Sequence, residues 1–565
     1  MKHFKIISNR VFSPDVLLWF YPLLLVVPNI VLDITEYTSV WAKATNILIP
    51  FGIYLLIMGI WQNVGRTALI LFPILFYGAF QIVLLYLYGE SIIAVDMFLN
   101  LVTTNVTEAT ELLGNLTVAI ITVLAVYLPT LIWCIVAAAR HRCADSKSLR
   151  HARISGISSI TAGLACIIVA YASDIRFSAI NDIFPINVIH NTAIAIQRTK
   201  ATNDYFRTSA DFSYDANSTR TADEKEIYVL VIGETSRADN WQIFGYNRPT
   251  TPNLNKRRDL LTFRKTLSES NTTHKSVPLM LSWVSAENFG DSIYTSKSLI
   301  SAFNEAGFAT AYISNQGRNH SFIDFFAREA QKTIFLTDDG HKHHDEELLP
   351  QLQQFIDQSP NNKILVVLHM YGSHFNYRDR YTPAFSFFKP DDSSDADAYN
   401  REKLINAYDN TILYTDYFLD NVINILESEK CLSAIMYTSD HGEDLYDDKR
   451  NRFLHASPVP TYWQIHVPLV IWMSPQLKEA HPRLYINAAK HEGMNVSSSR
   501  SVFDTMLQIG GITSRYSDHS KALTDSGYIE TPRLYLNDHN KAISLEEAGL
   551  REFDYKLLNK NNISK

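Results

Sequence analysis

Four segments of this chain bring together residue types that hold a divalent cation. Glu234 follows the apolar run 227–232 in EIYVLVIGETSRADN. His369 and His374, in HMYGSH, follow the run 364–368. Asp440, His441, Glu443 and Asp444, in SDHGED, follow the run 434–438, and His455 comes fourteen residues after His441 in FLHAS. Carboxylate oxygen and imidazole nitrogen suit Zn²⁺, with Mn²⁺ as the alternative. The chemistry also needs a nucleophile. SNTTHKSVP offers Thr272, Thr273 and Ser276 ahead of the apolar helical pattern LMLSWV. A hydroxyl at a helix N-terminus, coordinated to a metal, has its pKa lowered and becomes an alkoxide. Taken singly, each segment has a plainer reading: a surface carboxylate, a turn with a histidine, a helix cap. The recurrence of candidate ligands at three strand ends is what argues for a site.

Those ligands meet only if the strands share one sheet and run the same way. Apolar runs at 227–232, 309–313, 364–368, 434–438 and 467–472 read as strands. Helical patterns at 277–284, 296–305, 344–358, 402–426 and 499–509 alternate with them. Such alternation predicts an α/β domain with a mainly parallel sheet. In open sheets of this kind ligands bind beyond the carboxyl ends of the strands.

The first third of the chain is different in composition. Apolar segments at 14–34, 45–61, 67–89, 117–139 and 154–172 approach the roughly 20 residues that span a bilayer core. Lys2, Lys5 and Arg10 precede the first, Arg66 falls between the second and third, and Arg140, Arg142, Lys147, Arg150 and Arg153 lie between the fourth and fifth. The loop 90–116 carries four acids and no Lys or Arg, and Lys43 alone lies on the other side. The positive-inside rule then predicts a cytoplasmic N-terminus, a retained first span and an external C-terminal part. We expect a membrane domain over 1–172, a linker with an interfacial helix over 173–224 and a catalytic domain over 225–565. Net charge is −7, with no basic block suited to nucleic acid. Of four cysteines only Cys431 lies in the soluble part, which excludes a disulfide or thiolate cluster there.

Together, GETSRADNWQIFGYNRPTTPNL, NTTHKSVPLM, HMYGSH and TSDHGED, in this order behind five apolar spans, resemble the phosphoethanolamine transferases of bacterial envelopes. That family belongs to the alkaline phosphatase/sulfatase superfamily. The resemblance implies a five-helix transmembrane domain followed by an α/β sulfatase-like domain, an inner-membrane protein with a periplasmic site, acting as a monomer. It implies transfer of phosphoethanolamine from phosphatidylethanolamine to lipid A or core sugars, a change that lowers affinity for polymyxin. Carried over by position, the zinc ligands are Glu234, Thr273, Asp440 and His441, with one ion expected and a second left open. Thr273, five residues before Pro278, is the implied nucleophile. His374 and His455 match the histidines that line the substrate phosphate. Asn271, Gln316 and His320 match substrate-contacting positions, and Thr104, Asn105 and Glu108 resemble a periplasmic-loop motif that approaches the site.

The chain departs from the family in two places. Glu269 and Leu279 stand where lipid A-modifying members place a cysteine pair, and His374-Phe375-Asn376 replaces the usual His-Gly-Pro. Both departures bear on the acceptor and leave the metal chemistry intact. Two rivals follow: a transferase of another head group, such as glycerol phosphate, and a non-catalytic lipid-binding scaffold. A true sulfatase is disfavoured, because no Cys/Ser-x-Pro-x-Arg motif occurs at the nucleophile.

Overall fold

The computed structural model describes residues 13–35, 38–88, 92–103, 117–174, 177–221, 224–392 and 398–564. Thr104, Asn105 and Glu108 lie outside these residues. The chain forms two compact units: of the described residues, 13–99 and 117–197 belong to the first, and 100–103 and 198–564 to the second.

The first unit is helical. Pro14–Thr35, Val40–Met58, Thr117–Ala139 and Ser146–Ser173 contain four helices long and apolar enough to cross a membrane. Consecutive apolar residues with few charges leave burial in lipid or in one another as the way to remove their surface from water. The second span begins earlier than its hydropathy suggests, because Ser39 caps it by accepting the Ala42 N–H at 3.2 Å. The third expected span, 67–89, is broken. Val64–Ile70 and Phe72–Tyr88 meet at a 55° bend. Pro73 lacks the N–H that would continue the ladder to the residue four back, and its ring clashes with that carbonyl. Counting the bent pair as one span gives five.

The second unit is built on a seven-stranded sheet. Its strands in chain order are β1 (Glu226–Gly233), β2 (Leu261–Thr262), β3 (Ala309–Ser314), β4 (Lys332–Phe335), β5 (Lys363–His369), β6 (Leu432–Ser439) and β7 (Leu469–Met473). The spatial order is β2-β7-β6-β1-β5-β3-β4. β6, β1, β5, β3 and β4 pair in parallel, whereas β7 runs antiparallel to both β6 and β2. β7 starts two residues later than expected, after Pro468, which has no N–H to give a ladder. All eight residues of β1 are buried, as a strand covered on both faces requires. Register does the positioning. Ile232 is level with both His369 and Thr438, so β1, β5 and β6 end on one line and the residues beyond them emerge together.

Two elements differ from expectation. The helix sought at 277–284 is Thr273–Leu281. Thr272 holds the extended cap conformation before it, and Pro278 lies inside because its fixed φ is helical and interrupts a single hydrogen bond. Residues 209–221, polar and turn-rich, pack into the second unit. Tyr214 is wholly buried there, and Asn217 and Ser218 pair with Thr513 and Ile512.

Candidate functional site

Glu234 leaves the end of β1, and the next residue, Thr235, takes a left-handed φ of 62°. That turn points the Thr235 N–H back at Asp440, which follows β6 and accepts through Oδ1 at 3.1 Å. The same oxygen accepts the His441 N–H at 2.7 Å. Beyond β5 the chain crosses under Glu234: the Ser373 N–H donates to the Glu234 carbonyl at 2.9 Å. Gly372 is needed at this crossing. Its φ is 57°, and a Cβ there would lie 2.7 Å from the same carbonyl oxygen.

Thr273 opens its helix opposite this edge. Its hydroxyl lies 3.3 and 3.4 Å from the two Glu234 carboxylate oxygens and 3.1 Å from His441 Nε2. His441 Nε2 is 3.2 Å from Asp440 Oδ2 and 3.5 Å from Glu234 Oε1. Four side chains from three widely separated segments therefore meet at one point. Of the hydroxyls offered by sequence, Thr273 is the one there: Thr272 faces Ser270 at 3.1 Å and Ser276 donates to its own helix at the Thr272 carbonyl.

The donor set suits a cation. Glu234, Asp440 and His441 are almost wholly buried. Asp440 Oδ2 accepts no hydrogen bond, an arrangement that is costly unless a positive charge fills the gap. His441 donates Nδ1–H to the Gly442 carbonyl at 2.9 Å, which leaves the Nε2 lone pair facing Thr273. Burial drives the His441 imidazole down to about 4, so that it stands neutral as a metal ligand must. Glu234, His441 and His455 each present a ligand atom, all within 4.8 Å of one another.

The two flanking histidines are both present. The His455 ring centre is 4.1 Å from that of His441, and its Nδ1 is 3.3 Å from Glu443 Oε1. The His374 ring centre is 5.9 Å from that of His455. His374 gives Nδ1–H to the Phe375 carbonyl at 2.6 Å, so its Nε2 is the open nitrogen. Burial holds His455 down to about 4 and His374 well below the usual histidine range. Glu443 is pushed well above the carboxylate range by the same cause.

The remaining sequence candidates divide. The Gln316 amide donates to Glu234 Oε2 at 3.2 Å and to the Met370 carbonyl at 2.9 Å, so it steadies a ligand. Asn271 is buried, and its side chain meets Ser457, Gln464 and Tyr535. His320 is exposed, with its backbone N–H on Asp324. His369 is wholly buried behind the edge with Nδ1 2.8 Å from the Tyr312 hydroxyl. Asp444 binds Thr461 and Gln464.

Two supporting residues escaped the sequence reading. Asp345 accepts the backbone N–H groups of Tyr371 and Gly372 at 2.8 and 2.9 Å, and so fixes the loop that carries His374. Arg237, wholly enclosed, donates to Asp447 and to the Glu443 carbonyl and stacks on Trp463 at 4.6 Å. Arg237 sits in plain view in GETSRADN, where a charged residue after a buried strand was the available signal.

Fold and site together define a sulfatase-like α/β protein with apolar helices long enough to cross a membrane. The sulfatase family matches residues 226–512, half of the chain, and the chain belongs to that family. It is 33% identical over 307 residues to phosphoethanolamine transferase EptA of Salmonella typhimurium, a match covering 52% of this chain and 55% of that one. The chain spans about half the length of the curated relatives it matches. The integral membrane lipooligosaccharide phosphoethanolamine transferase A of Neisseria meningitidis shares its fold, with a TM-score of 0.72 over 90% of this chain and 98% of that one at 22% identity. The C-terminal periplasmic domain of EcEptC from Escherichia coli, solved in complex with Zn, aligns with a TM-score of 0.54 over 60% and 97% at 24% identity.

Proposed function

We propose that this chain transfers phosphoethanolamine from phosphatidylethanolamine to a lipopolysaccharide acceptor, lipid A or core, through a covalent intermediate on Thr273. The observation that carries the reading is the Thr273 hydroxyl at the head of its helix, 3.1 Å from a neutral His441 and 3.3 Å from Glu234. Glu234, Thr273, Asp440 and His441 would hold one Zn²⁺, or Mn²⁺ in its stead, with a second ion left open. When bound, such an ion lowers the pKa of the threonine hydroxyl and neutralises charge on a phosphoryl oxygen.

The chain's own residues supply the rest. Thr273 Oγ attacks phosphorus in line, the bond to the diacylglycerol oxygen breaks, and a phosphoester forms on Thr273. His374 Nε2 or the His455 ring, neutral in the resting site, takes up the hydroxyl proton and returns it to the departing diacylglycerol alkoxide. In the second half an acceptor oxygen attacks the same phosphorus, the Thr273 Oγ–P bond breaks, and the proton of an acceptor hydroxyl passes through the same histidine to the leaving Thr273 oxygen. Gln316 and Asp345 keep Glu234 and His374 in place through both halves. The apolar helices hold the enzyme where both substrates are lipids of one leaflet. Lysine and arginine placement supports a cytoplasmic N-terminus and an external site, which in the bacterial inner membrane that the family resemblance implies would be periplasmic. Lowered polymyxin affinity of the cell surface is the expected consequence, and the chain acts as a monomer.

The test is mass spectrometry of the full-length protein incubated with phosphatidylethanolamine and Zn²⁺. The expected result is a mass gain of one phosphoethanolamine at Thr273, absent in Thr273→Ala, with lipid transfer in that variant down at least ~10³-fold. A glycerol phosphate adduct would replace the donor assignment. Full transfer by Thr273→Ala would remove this nucleophile.

A further inference from the structure

Three loops must keep their spacing for the proposed reaction to run: the one before Thr273, the ligand loop 440–443, and the loop carrying His455. One residue reaches all three, the first and last through its side chain and the ligand loop through its backbone carbonyl. We propose that Gln464 is the positioning residue that sets the distance between the nucleophile and the His455 loop. This rests on the function proposed above.

Gln464 is 1% exposed and lies in the short helix Tyr462–Ile465. Its Oε1 accepts from Asn271 Nδ2 at 2.6 Å and from the Ser457 hydroxyl at 3.1 Å. Its Nε2 donates to Asp444 Oδ2 at 2.7 Å and to the Leu454 carbonyl at 3.2 Å. Its backbone carbonyl accepts the Gly442 N–H at 2.8 Å, next to His441. Gly442 is required for that approach, since a Cβ there would lie 2.1 Å from the Trp463 carbonyl oxygen.

The amide has one workable orientation. Leu454 O is a carbonyl and can only accept, so Nε2 must face it. Asn271 Nδ2 also faces a carbonyl, that of Ser457 at 2.8 Å, so Asn271 presents its donor and Gln464 must answer with oxygen. Asn271 is closed on its other side by the Tyr535 hydroxyl at 2.7 Å, and its own carbonyl accepts the Ala456 N–H at 3.2 Å. Asn271 lies two residues before Thr273, and Leu454 lies one before His455. A shift of either loop therefore breaks a hydrogen bond to Gln464 in a buried place, where an unmade bond is costly. A small change in that spacing acts on the rate, because misplacement of about 1 Å at a reacting group costs ~10²-fold.

Gln464→Glu keeps the shape and reverses the demand. It places a carboxylate against Leu454 O and Asp444 Oδ2. Adding Asp444→Asn offers that carboxylate a donor while leaving an oxygen for Thr461, so the pair should regain part of what the single change loses. The test uses the full-length protein in detergent with Zn²⁺ and phosphatidylethanolamine. For Gln464→Glu we expect kcat down ~10²-fold with KM within about threefold, and recovery of at least ~10-fold in the double variant. Hydrogen–deuterium exchange is read in parallel. Peptides 268–276 and 452–458 should both lose protection in the single variant while 226–233 keeps it. That second readout needs no turnover, so an inert wild type would sink the proposed function and leave this inference measurable. Should Gln464→Glu not fold, Gln464→Met, neutral and similar in size, is read the same way. Wild-type kcat in a folded variant, loss of protection in one loop alone, or failure of both variants to fold would each overturn the inference.

Discussion

The two ends of the central strand pair treat buried charge in opposite ways. Glu226 opens β1 with its side chain fully enclosed. Arg220 Nη1 lies 2.9 Å from one of its oxygens, Lys363 Nζ lies 3.3 Å from the other, and the Tyr228 hydroxyl donates at 2.7 Å. Asp440, just past the end of the neighbouring β6, is equally enclosed. Its Oδ2 faces an imidazole that burial keeps neutral, and it accepts no hydrogen bond. Neither Glu226 Oε1 nor Asp440 Oδ2 accepts a hydrogen bond, but the first faces the Lys363 ammonium and the second a neutral imidazole. The difference separates structure from chemistry. A buried carboxylate is stable when cations of the chain answer it, and it is a binding element when the answer must come from outside.

The comparison is tested most severely at Glu226. Glu226→Gln removes the anion and leaves Arg220 and Lys363 facing each other in a buried place. Breaking one partner of such a cluster costs about 3–5 kcal/mol. We expect a large fall in melting temperature, with Zn²⁺ binding and the transfer rate of the surviving folded protein near wild type. A fall in Zn²⁺ affinity with unchanged stability would mean that the two edges are not separate.

The smaller mirror effect lies at Asp440. Asp440→Asn keeps the oxygen that accepts from Thr235 and His441, and it turns an amide donor toward the His441 lone pair. Stripped of metal, this variant should be more stable than wild type by about 1 kcal/mol, the worth of one new hydrogen bond. Loaded with Zn²⁺ it should lose that advantage and transfer about 10²–10³-fold more slowly, the scale set by removing one charge-stabilising group. Calorimetric melting with and without chelator reads both signs. A metal-free variant less stable than wild type would refute the claim that Asp440 waits for a cation.

Much of this was legible in the sequence because it is local. The run 227–232 is apolar throughout, and a strand covered on both faces needs that. Glu234, Asp440 and His441 stand out because strand ends of a parallel sheet share an edge, whereas Thr273 is one of three hydroxyls offered at a helix start and only the family resemblance singles it out. What stayed hidden depends on partners far away in the chain. The family resemblance implies that Asn271 is a substrate contact, yet residues 457, 464 and 535 surround its amide, and no local pattern shows that. Asp345 sits in an acidic, histidine-rich tract that reads as surface, and only the return of β5 reveals its role. The helix start at Thr273 was masked by Pro278, a residue that marks helix beginnings more often than it sits inside one. The bend near Leu71 was masked by hydropathy, which averages across a break.

The finest test concerns His369, which lies on the uncompensated edge without belonging to the proposed ligand set. Burial lowers its pKa from 6.5 to about 4, with the Asp440 charge opposing weakly. The sign follows from proton binding. Between those values the unfolded chain takes up a proton and the native one does not, so stability falls as pH drops from 6.5 toward 4 and is unaffected above. The loss from this residue is about 1 kcal/mol between pH 6.5 and 5.5. His441 and His455 titrate in the same direction, so the total slope does not isolate it. The difference between wild type and His369→Gln does, because glutamine fills the place and reaches Tyr312 without taking a proton. Melting temperatures of the full chain at half-unit intervals should therefore converge as pH falls, with wild type losing its lead over the variant below pH 6.5. A constant gap across that range would show that His369 titrates in the native protein as it does in the unfolded chain, and that the C-terminal edge offsets the burial of its charge as thoroughly as the edge at Glu226 does.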